Sequence, residues 1–285
     1  MKQKFSGRMD ITKPLSIQID DMRDELRNSI WNFILDVVDE PSSTAMTKSK
    51  KDLFADGFFK VPKDQVPTYP RDRFWGWARD RYKALSWYEV YDLLEFVVEN
   101  CELLSDSIEN RDDLFAMVNW VLQRENSGFR FIQGVLSPIS SEAEVATIEQ
   151  AVIGAHKAGL DGVRTHLITA LQLLGQKPEP DFRNSIKEAV SAVESAAKCI
   201  GGVQGGGLDA ALKVLAEKAD LHPALVKGFN ALYGYSSNEG GIRHAILEEK
   251  KVGYDEAKFM LVACSAFVHF LISKAEAAGV LKQGR

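Results

Sequence analysis

Apolar residues recur at intervals of three and four positions along most of the chain. The first clear stripe follows Asp21 and consists of Met22, Leu26, Ile30, Phe33, Ile34 and Val37. A second stripe consists of Trp87, Val90, Tyr91, Leu94 and Val98, and a third, within Asp112–Arg124, of Leu114, Val118, Trp120 and Val121. This spacing places apolar side chains on one face of a helix. We therefore expect amphipathic helices over most of the first half of the chain.

Two stretches of the first half depart from helical spacing. Residues 41–71 include four prolines, so we expect loops there, anchored by the apolar cluster Leu53–Val61. A helical zone should then begin near Phe74. Residues 129–139 alternate partly between apolar and polar, with Gly134 where a turn would fall, which predicts a β-hairpin. Ser140 or Ser141 can cap the helix that follows.

The second half begins after a clear punctuation. Residues 175–181 combine glycine, two prolines and charges, which is typical of a linker. Asp181 can cap the next helix, and shorter helices are expected at Leu208–Lys218 and Pro223–Tyr233. Ser236–Gly241 predicts a loop and Ile242–Lys250 the start of a helical turn. The last predicted helix, Asp255–Ala277, is apolar nearly all round, which indicates a central helix or one in a dimer interface.

These patterns predict a mainly α fold in two parts. The first is a helical domain with a small β-hairpin, over residues 1–141. Residues 142–180 form a helical connector and linker, and residues 181–285 form a helical bundle.

Composition and charge narrow the classes of function. The 285 residues are 45% hydrophobic and 26% charged with a net charge of −5, which fits a globular chain and argues against a dedicated duplex-DNA binder. The three cysteines are far apart, so a cysteine-rich zinc site is not expected, and Cys199 and Cys264 should be buried. The five histidines form no spaced metal motif, and neither metal nor cofactor is expected. Without a signal peptide or a long enough apolar span, we expect a cytoplasmic protein that does not bind membranes.

One dipeptide has the residue types for phosphate chemistry. Arg243 and His244 follow Gly240 and Gly241 at a predicted junction of loop and helix. The glycines allow close backbone approach to a ligand, and an arginine fork binds phosphate. A histidine transfers protons near neutral pH. Together these groups suit RNA cleavage through the 2′-hydroxyl. By spacing alone, the glycines equally fit a turn in which Arg243 pairs with Glu239 or Glu248.

Two further clusters allow two interpretations each. Arg183, Lys187, Val190 and Glu194 share one face of a helix, which suits either the lining of a cleft or a solvated face with an ion pair. Basic and aromatic residues interleave over residues 71–83, a pattern that suits either single-stranded nucleic acid or anchoring of the aromatic rings in the core. The interleaved residues are Arg71, Arg73, Phe74, Trp75, Trp77, Arg79, Arg81, Tyr82 and Lys83.

Several stretches resemble the N-terminal domain of AbiJ-like abortive-infection proteins of prokaryotes. They are Phe5–Arg8, Ile17–Asp20, Leu26–Asn32, Trp87–Asp92, Ser127–Gly134 and Pro138–Ile139. The C-terminal part resembles the HEPN-like helical domain that often follows it, through Asp181–Glu194, His222–Leu225, Leu232–Tyr235 and Glu239–Ala245.

The resemblance implies a metal-independent endoribonuclease toxin of phage defence that dimerises through its C-terminal helical domain. Arg243 and His244 would be catalytic, and Arg183, Glu239, Gly240 and Gly241 would bind substrate. The usual HEPN motif has four residues between arginine and histidine, whereas here the two are adjacent. A non-catalytic HEPN-like module that binds RNA, nucleotide or protein is therefore the alternative, and RNA is a candidate ligand under both hypotheses.

Overall fold

The chain divides into two compact units, Met1–Gly134 and Val135–Arg285. The computed structural model describes residues 16–38, 45–104, 110–176, 179–237 and 252–281, with backbone only for 235–237. The described part is mainly helical with one two-stranded hairpin, so the predicted fold class is confirmed. The predicted domain limits at residues 141 and 180 remain a prediction, as does the HEPN-like nature of the C-terminal part.

The first unit is built from six described α-helices and two irregular turns. The α-helices are α1 (Asp24–Val38), α2 (Lys48–Asp52), α3 (Arg71–Ala84), α4 (Trp87–Glu99), α5 (Cys101–Leu104) and α6 (Arg111–Arg124). A π-helical turn, Leu53–Phe58, continues α2, and a 3-10 turn covers Lys63–Gln65. The helix α1 packs against α4, α5 and α6. The stretch predicted as loops is therefore partly helical, because Thr47 caps α2 and the π turn buries Phe54 and Ala55.

Aromatic rings form the core of the first unit. Phe54 of the π turn lies edge-on to Phe74 of α3 and Phe96 of α4, with ring centroids 5.8 and 6.1 Å apart. Trp31 of α1 contacts Tyr82 of α3 at 4.8 Å between centroids. Because aromatic contacts of this kind add to the burial of large apolar surfaces, they hold α1, α3, α4 and the π turn together.

A single extended residue attaches the segment before α1 to the end of α6. Gln18 is 1% exposed and forms a parallel bridge with Ser127. Its backbone N–H donates to the Asn126 carbonyl at 2.9 Å, and its own carbonyl accepts from Gly128 N at 2.7 Å. Its side-chain amide donates to the Glu125 carbonyl at 2.6 Å and accepts from Arg23 N at 2.5 Å. Because its polar groups form these hydrogen bonds, the burial of Gln18 carries little desolvation cost.

The predicted hairpin is confirmed, with β1 at Arg130–Ile132 and β2 at Val135–Ser137. Gln133 and Gly134 between them have φ values of 50° and 87°. Two left-handed residues in a two-residue turn match the twist of a hairpin, which is why glycine at position 134 is informative.

The second unit is a bundle of helices that continues from β2. Its helices are α7 (Glu142–Lys157), α8 (Asp161–Gly175), α9 (Phe182–Gly201), α10 (Leu208–Ala219), α11 (Pro223–Ser237) and α12 (Tyr254–Ala277). Ser141 and Asp181 cap α7 and α9 as predicted, accepting from Glu144 N and Asn184 N. The helix α11 extends beyond the predicted Tyr233 to Ser237, because turn residues at a helix end do not by themselves stop it.

Side-chain contacts define the direction of these helices. Ser185 Oγ of α9 donates to the Ala170 carbonyl of α8 at 2.8 Å, and further along His166 contacts Glu188, so α8 and α9 are antiparallel. Phe182 lies beside Tyr254 at the starts of α9 and α12. Lys258 pairs with Glu144 at the starts of α12 and α7, at 3.3 Å. Thus α7, α9 and α12 begin at the same end of the second unit, which we call the helix-start end.

The last helix is central in this unit, as its pattern predicts. It packs against α7, α8, α9 and α10 and buries ten of its residues, among them Leu261, Phe267 and Leu271. Within the described residues it is also the one helix long and apolar enough to span a membrane, with 50% of its most apolar window buried. Burial on several faces explains its apolar composition as that of a core helix.

One cysteine prediction is wrong. Cys264 is buried as expected, and burial raises the pKa of its thiol to about 12. Cys199 is exposed, because it falls on the outer face of α9 while its neighbours Ala197 and Ile200 face the core. Apolar neighbours in sequence do not bury a residue on the opposite side of a helix.

We expect Phe54→Ala to lower the free energy of unfolding of the first unit by about 3–5 kcal/mol, since it removes a fully buried ring and leaves a cavity. All five tryptophans lie in this unit, so urea unfolding followed by tryptophan fluorescence measures it directly. Tyr88→Ala, at a ring 55% exposed, is the control and should change little. A loss below about 1 kcal/mol for Phe54→Ala would contradict the described core.

Candidate functional site at the helix-start end of the second unit

The structure describes one of the predicted site residues. Arg183 lies in the first turn of α9, exposed, at the helix-start end. The other five, Glu239, Gly240, Gly241, Arg243 and His244, lie outside the described residues. Their convergence with Arg183 stays a prediction. In sequence, these five lie between α11 and α12, and α12 begins at the same end of the unit as Arg183.

Aromatic contacts and a hydrogen bond fix the start of α12 against its neighbours. The rings of Phe182 and Tyr254 are 6.4 Å apart at an interplanar angle of 68°. The Tyr254 hydroxyl donates to the carbonyl of Pro138, which follows β2. Phe182, which contacts Tyr254, is next to Arg183 in the sequence. Arg183 therefore has a defined position relative to the first turn of α12.

The helix-start end carries both positively and negatively charged side chains. Lys258 is 3.3 Å from the carboxylate of Glu144 and also 5.6 Å from the centroid of the Tyr254 ring. Burial, and then the charges of Glu144 and Asp255, raise the pKa of the Tyr254 phenol to about 12. Tyr254 is therefore a neutral hydrogen-bond donor at physiological pH.

Acidic side chains outnumber basic ones in the described part of this end. The helix starts carry Glu142, Glu144, Asp181, Asp255 and Glu256, against Arg183 and Lys258. Ser141, Asp181 and Glu256 already accept from backbone N–H groups at these helix starts, so the group described here that suits an anion is the Arg183 guanidinium. Glu188 of α9 is paired with His166 of α8, whose Nδ1 is 2.6 Å from the Glu188 carboxylate. That pair joins α9 to α8. Among the described residues, no group of three or more His, Cys, Asp or Glu side chains is placed to hold a metal ion.

The basic and aromatic stretch predicted over residues 71–83 is α3, and its rings belong to the core. Phe74, Trp75 and Tyr82 are at most 6% exposed. The guanidinium of Arg81 lies over the Trp77 ring, 4.2 Å from its centroid. Bases cannot stack on buried rings, so of the two interpretations the structural one holds here.

Comparison with known proteins adds the family. The family described as AbiJ N-terminal domain 4 matches residues 3–153, just over half of the chain. The chain belongs to this AbiJ family. No curated protein and no solved structure matches it.

The AbiJ match confirms the resemblance seen in the first half of the sequence and associates the protein with abortive infection, a form of antiviral defence. The matched region covers the described helices of the first unit, the hairpin and most of α7. The C-terminal part lies outside the match, so its likeness to HEPN domains rests on the residues quoted above.

The AbiJ-type domain also has a surface groove that the sequence pattern did not predict. It lies between α1 and α6, has a volume of about 420 Å³, and is lined in part by Met117 and Trp120. The spacing places Trp120 in the apolar stripe of α6, whereas its ring is 54% exposed. The sequence signal for the exposed ring is the position of Trp120 next to Val121. Adjacent helix residues point in different directions, and Val121 occupies the buried face.

We expect Tyr254→Phe to destabilise the second unit by about 1 kcal/mol at neutral pH, because the Pro138 carbonyl loses its donor. The folded state holds the phenol proton to about pH 12 whereas the unfolded chain releases it near 10.0, so wild-type stability falls as pH rises between these values. The variant has no such titration. The stability difference between the two proteins should therefore shrink in that range.

The measurement is urea unfolding by far-ultraviolet circular dichroism at about pH 9 and about pH 11.5, with the tryptophan-detected transition of the first unit subtracted. Tyr69→Phe, at a ring 70% exposed, serves as the control and should follow wild type at both values. A stability difference that stays constant would show that Tyr254 is not shielded from solvent.

Proposed function

We propose that this protein is an abortive-infection effector whose C-terminal part is a metal-independent, HEPN-type endoribonuclease. The observation on which the proposal rests is the AbiJ family match, which associates the chain with antiviral defence. The HEPN-like sequence pieces and the Arg243–His244 pair supply the reaction. We further propose that it acts in the cytoplasm on RNA.

The helical second unit suits this proposal in two respects. HEPN domains are helical, and the described part of this unit is helical after β2. Arg183 stands at the end where α12 begins, and the Arg243–His244 pair precedes α12 in the sequence. A phosphate bound at this end would meet the Arg183 guanidinium.

In the proposed reaction, His244 removes the proton of the ribose 2′-hydroxyl, whose oxygen attacks the adjacent phosphorus. The bond to the 5′-oxygen breaks, the imidazolium returns the proton to that oxygen, and a 2′,3′-cyclic phosphate remains. Arg243 stabilises the charge that develops on the phosphorane, and Arg183 binds the neighbouring phosphate. Glu239 orients the pair, while the backbone of Gly240 and Gly241 approaches the substrate closely.

The proposed enzyme works as a homodimer formed through the C-terminal helical part, which brings two sites together. The helix α12 has an exposed apolar residue suitable for a subunit contact, Phe259, whose ring is 58% exposed near the helix-start end. Exposed aromatic residues of this size are enriched at interfaces.

One observation favours a second candidate function. Arg243 and His244 are adjacent, whereas four residues separate the two in the usual HEPN motif. On a helix, adjacent residues differ by about 100° in direction and about 1.5 Å in height, whereas residues five apart differ by about 140° and about 7.5 Å, so an adjacent pair cannot reproduce the usual helical geometry. The alternative is therefore a HEPN-like module that binds RNA, nucleotide or a partner protein without cleaving it.

We expect the purified protein to cleave single-stranded RNA in the presence of EDTA, leaving cyclic phosphate and 5′-hydroxyl ends. His244→Ala should lower the rate at least about 100-fold, the usual contribution of general acid–base catalysis. Gel analysis of an end-labelled RNA measures the rate, and treatment with polynucleotide kinase identifies the ends.

The matched control is His156→Ala, since the His156 side chain is 70% exposed in α7 of the same unit. It should cleave as wild type does. Cleavage that persists in His244→Ala would rule out the proposed base. RNA that is bound by wild type and by both variants, yet never cut, would favour the binding module.

A further inference from the structure

The groove between α1 and α6 in the first unit has two walls of different character. One is the face of α1 formed by Ser29, Asn32, Phe33 and Asp36, at the helical spacing of one stripe. Phe33 is 3% exposed and forms part of the floor. Ser29 and Asp36 are seven residues apart, so the groove runs for about 10 Å, or two helical turns.

The α6 wall is apolar and exposed. Met117 and Trp120 are 49% and 54% exposed, and Val121 beside them is 8% exposed. A flexible thioether and a large ring next to a buried floor are features of protein-binding surfaces, where methionine adapts to different shapes and tryptophan contributes much of the binding energy.

At one end of the groove, the positive charge of Arg124 is already balanced by a carboxylate. The Arg124 guanidinium donates from Nε to Glu125 Oε1 at 2.7 Å and from Nη2 to Ser29 Oγ at 2.7 Å. It also lies over the Trp120 ring, 4.5 Å from the centroid. These contacts hold Trp120 in place before a ligand arrives, and they use the charge of the one cation that lines the groove in the described part of the chain.

The other end carries a negative charge that pairs with no described residue. The two walls are antiparallel, since Ser29 contacts Arg124, and this places Asp36 at the Met117 end. Asp36 is exposed, and the described residues include no ion-pair partner for it. Within the described part of the groove, a phosphate would find no unpaired cation and would be repelled by Asp36, so a nucleic acid is disfavoured.

We propose that the α1–α6 groove of the AbiJ-type domain is a docking site for a short amphipathic segment of a partner protein. The segment inserts two apolar side chains, spaced one helical turn apart, against Met117 and Trp120. A lysine or arginine next to them pairs with Asp36. Two turns of helix match the length of the groove, and the basic residue matches its charge.

The test selects ligands from a yeast-displayed library of random peptides of about 14 residues, long enough for roughly four helical turns. The full-length protein is the bait. Enriched peptides should combine two apolar residues three or four positions apart with a lysine or arginine within one further turn. Their dissociation constants are then measured by fluorescence polarisation with synthetic copies.

Trp120→Ala should weaken the selected peptides by at least about tenfold, as expected for a residue at the centre of an interface. Asp36→Lys should weaken them similarly, and a peptide whose basic residue is changed to glutamate should recover binding to this variant. Tyr88→Ala and Asp80→Lys change an exposed ring and an exposed acid outside the groove and should leave binding unchanged.

The proposal is overturned if no peptide is enriched, if basic residues are not enriched, or if Trp120→Ala leaves binding intact. It is also overturned if a single-stranded RNA oligonucleotide binds and Trp120→Ala removes that binding, since the groove would then serve nucleic acid. The result is independent of ribonuclease activity, because the variants lie in the first unit and the proposed catalytic residues do not.

Discussion

The close approach of helices to the small-residue face of α9 sets the geometry of the second unit. Four fully buried alanines line this face, at positions 189, 192, 196 and 197. Side chains this short bring the axes of neighbouring helices near one another. As a result α8 and α12 both pack along α9, and Ser185 reaches the Ala170 carbonyl of α8. Because α9 and α12 run in the same direction, their first turns meet, which places Arg183 at the start of α12.

The core of the first unit is packed with different residues from that of the second. Its described helices have at most 15 residues, against 20 in α9 and 24 in α12, so it has no helix as long as those on which the second unit packs. Large rings fill the space instead, from Phe54 on the π turn to Trp31 on α1. Burial raises the pKa of the Tyr82 phenol well above its usual range, while its hydroxyl donates to the Arg27 carbonyl at 2.6 Å. Aromatic residues with one polar atom thus connect α1 to α3 at defined points.

The sequence was informative where local rules decide the structure. Helical spacing, the caps at Ser141 and Asp181 and the turn at Gly134 each predict an element that the structure contains. These features depend on a few neighbouring residues, so a pattern captures them. Orientation between elements depends on tertiary packing. The exposed side of Cys199 could not be read from its apolar neighbours in sequence, because packing against other elements decides which face of a helix is buried.

The same limit applies to the site. Residue types in the sequence identify Arg243 and His244 as candidates for phosphate chemistry, since few side chains can perform it. The distances among Arg183, Arg243 and His244 are a property of the tertiary fold. The charge of the groove between α1 and α6 also depends on the tertiary fold. Glu125 and Ser29 bind the Arg124 guanidinium, while Asp36 is unpaired among the described residues. Such a balance is invisible in a list of residues.

The attachment of Gln18 has a consequence for the alignment of the chain. Ile17 and Ile19 on either side are 56% and 50% exposed, while the polar residue between them is buried. The usual rule for an extended segment is thus inverted. Side chains alternate between faces, so a slip of one position would press an isoleucine against carbonyl groups and leave the amide in water. The observed register satisfies the backbone groups and the side-chain amide of Gln18. Gln18 therefore fixes the register of the segment. It does so through directional hydrogen bonds rather than through the burial of apolar surface.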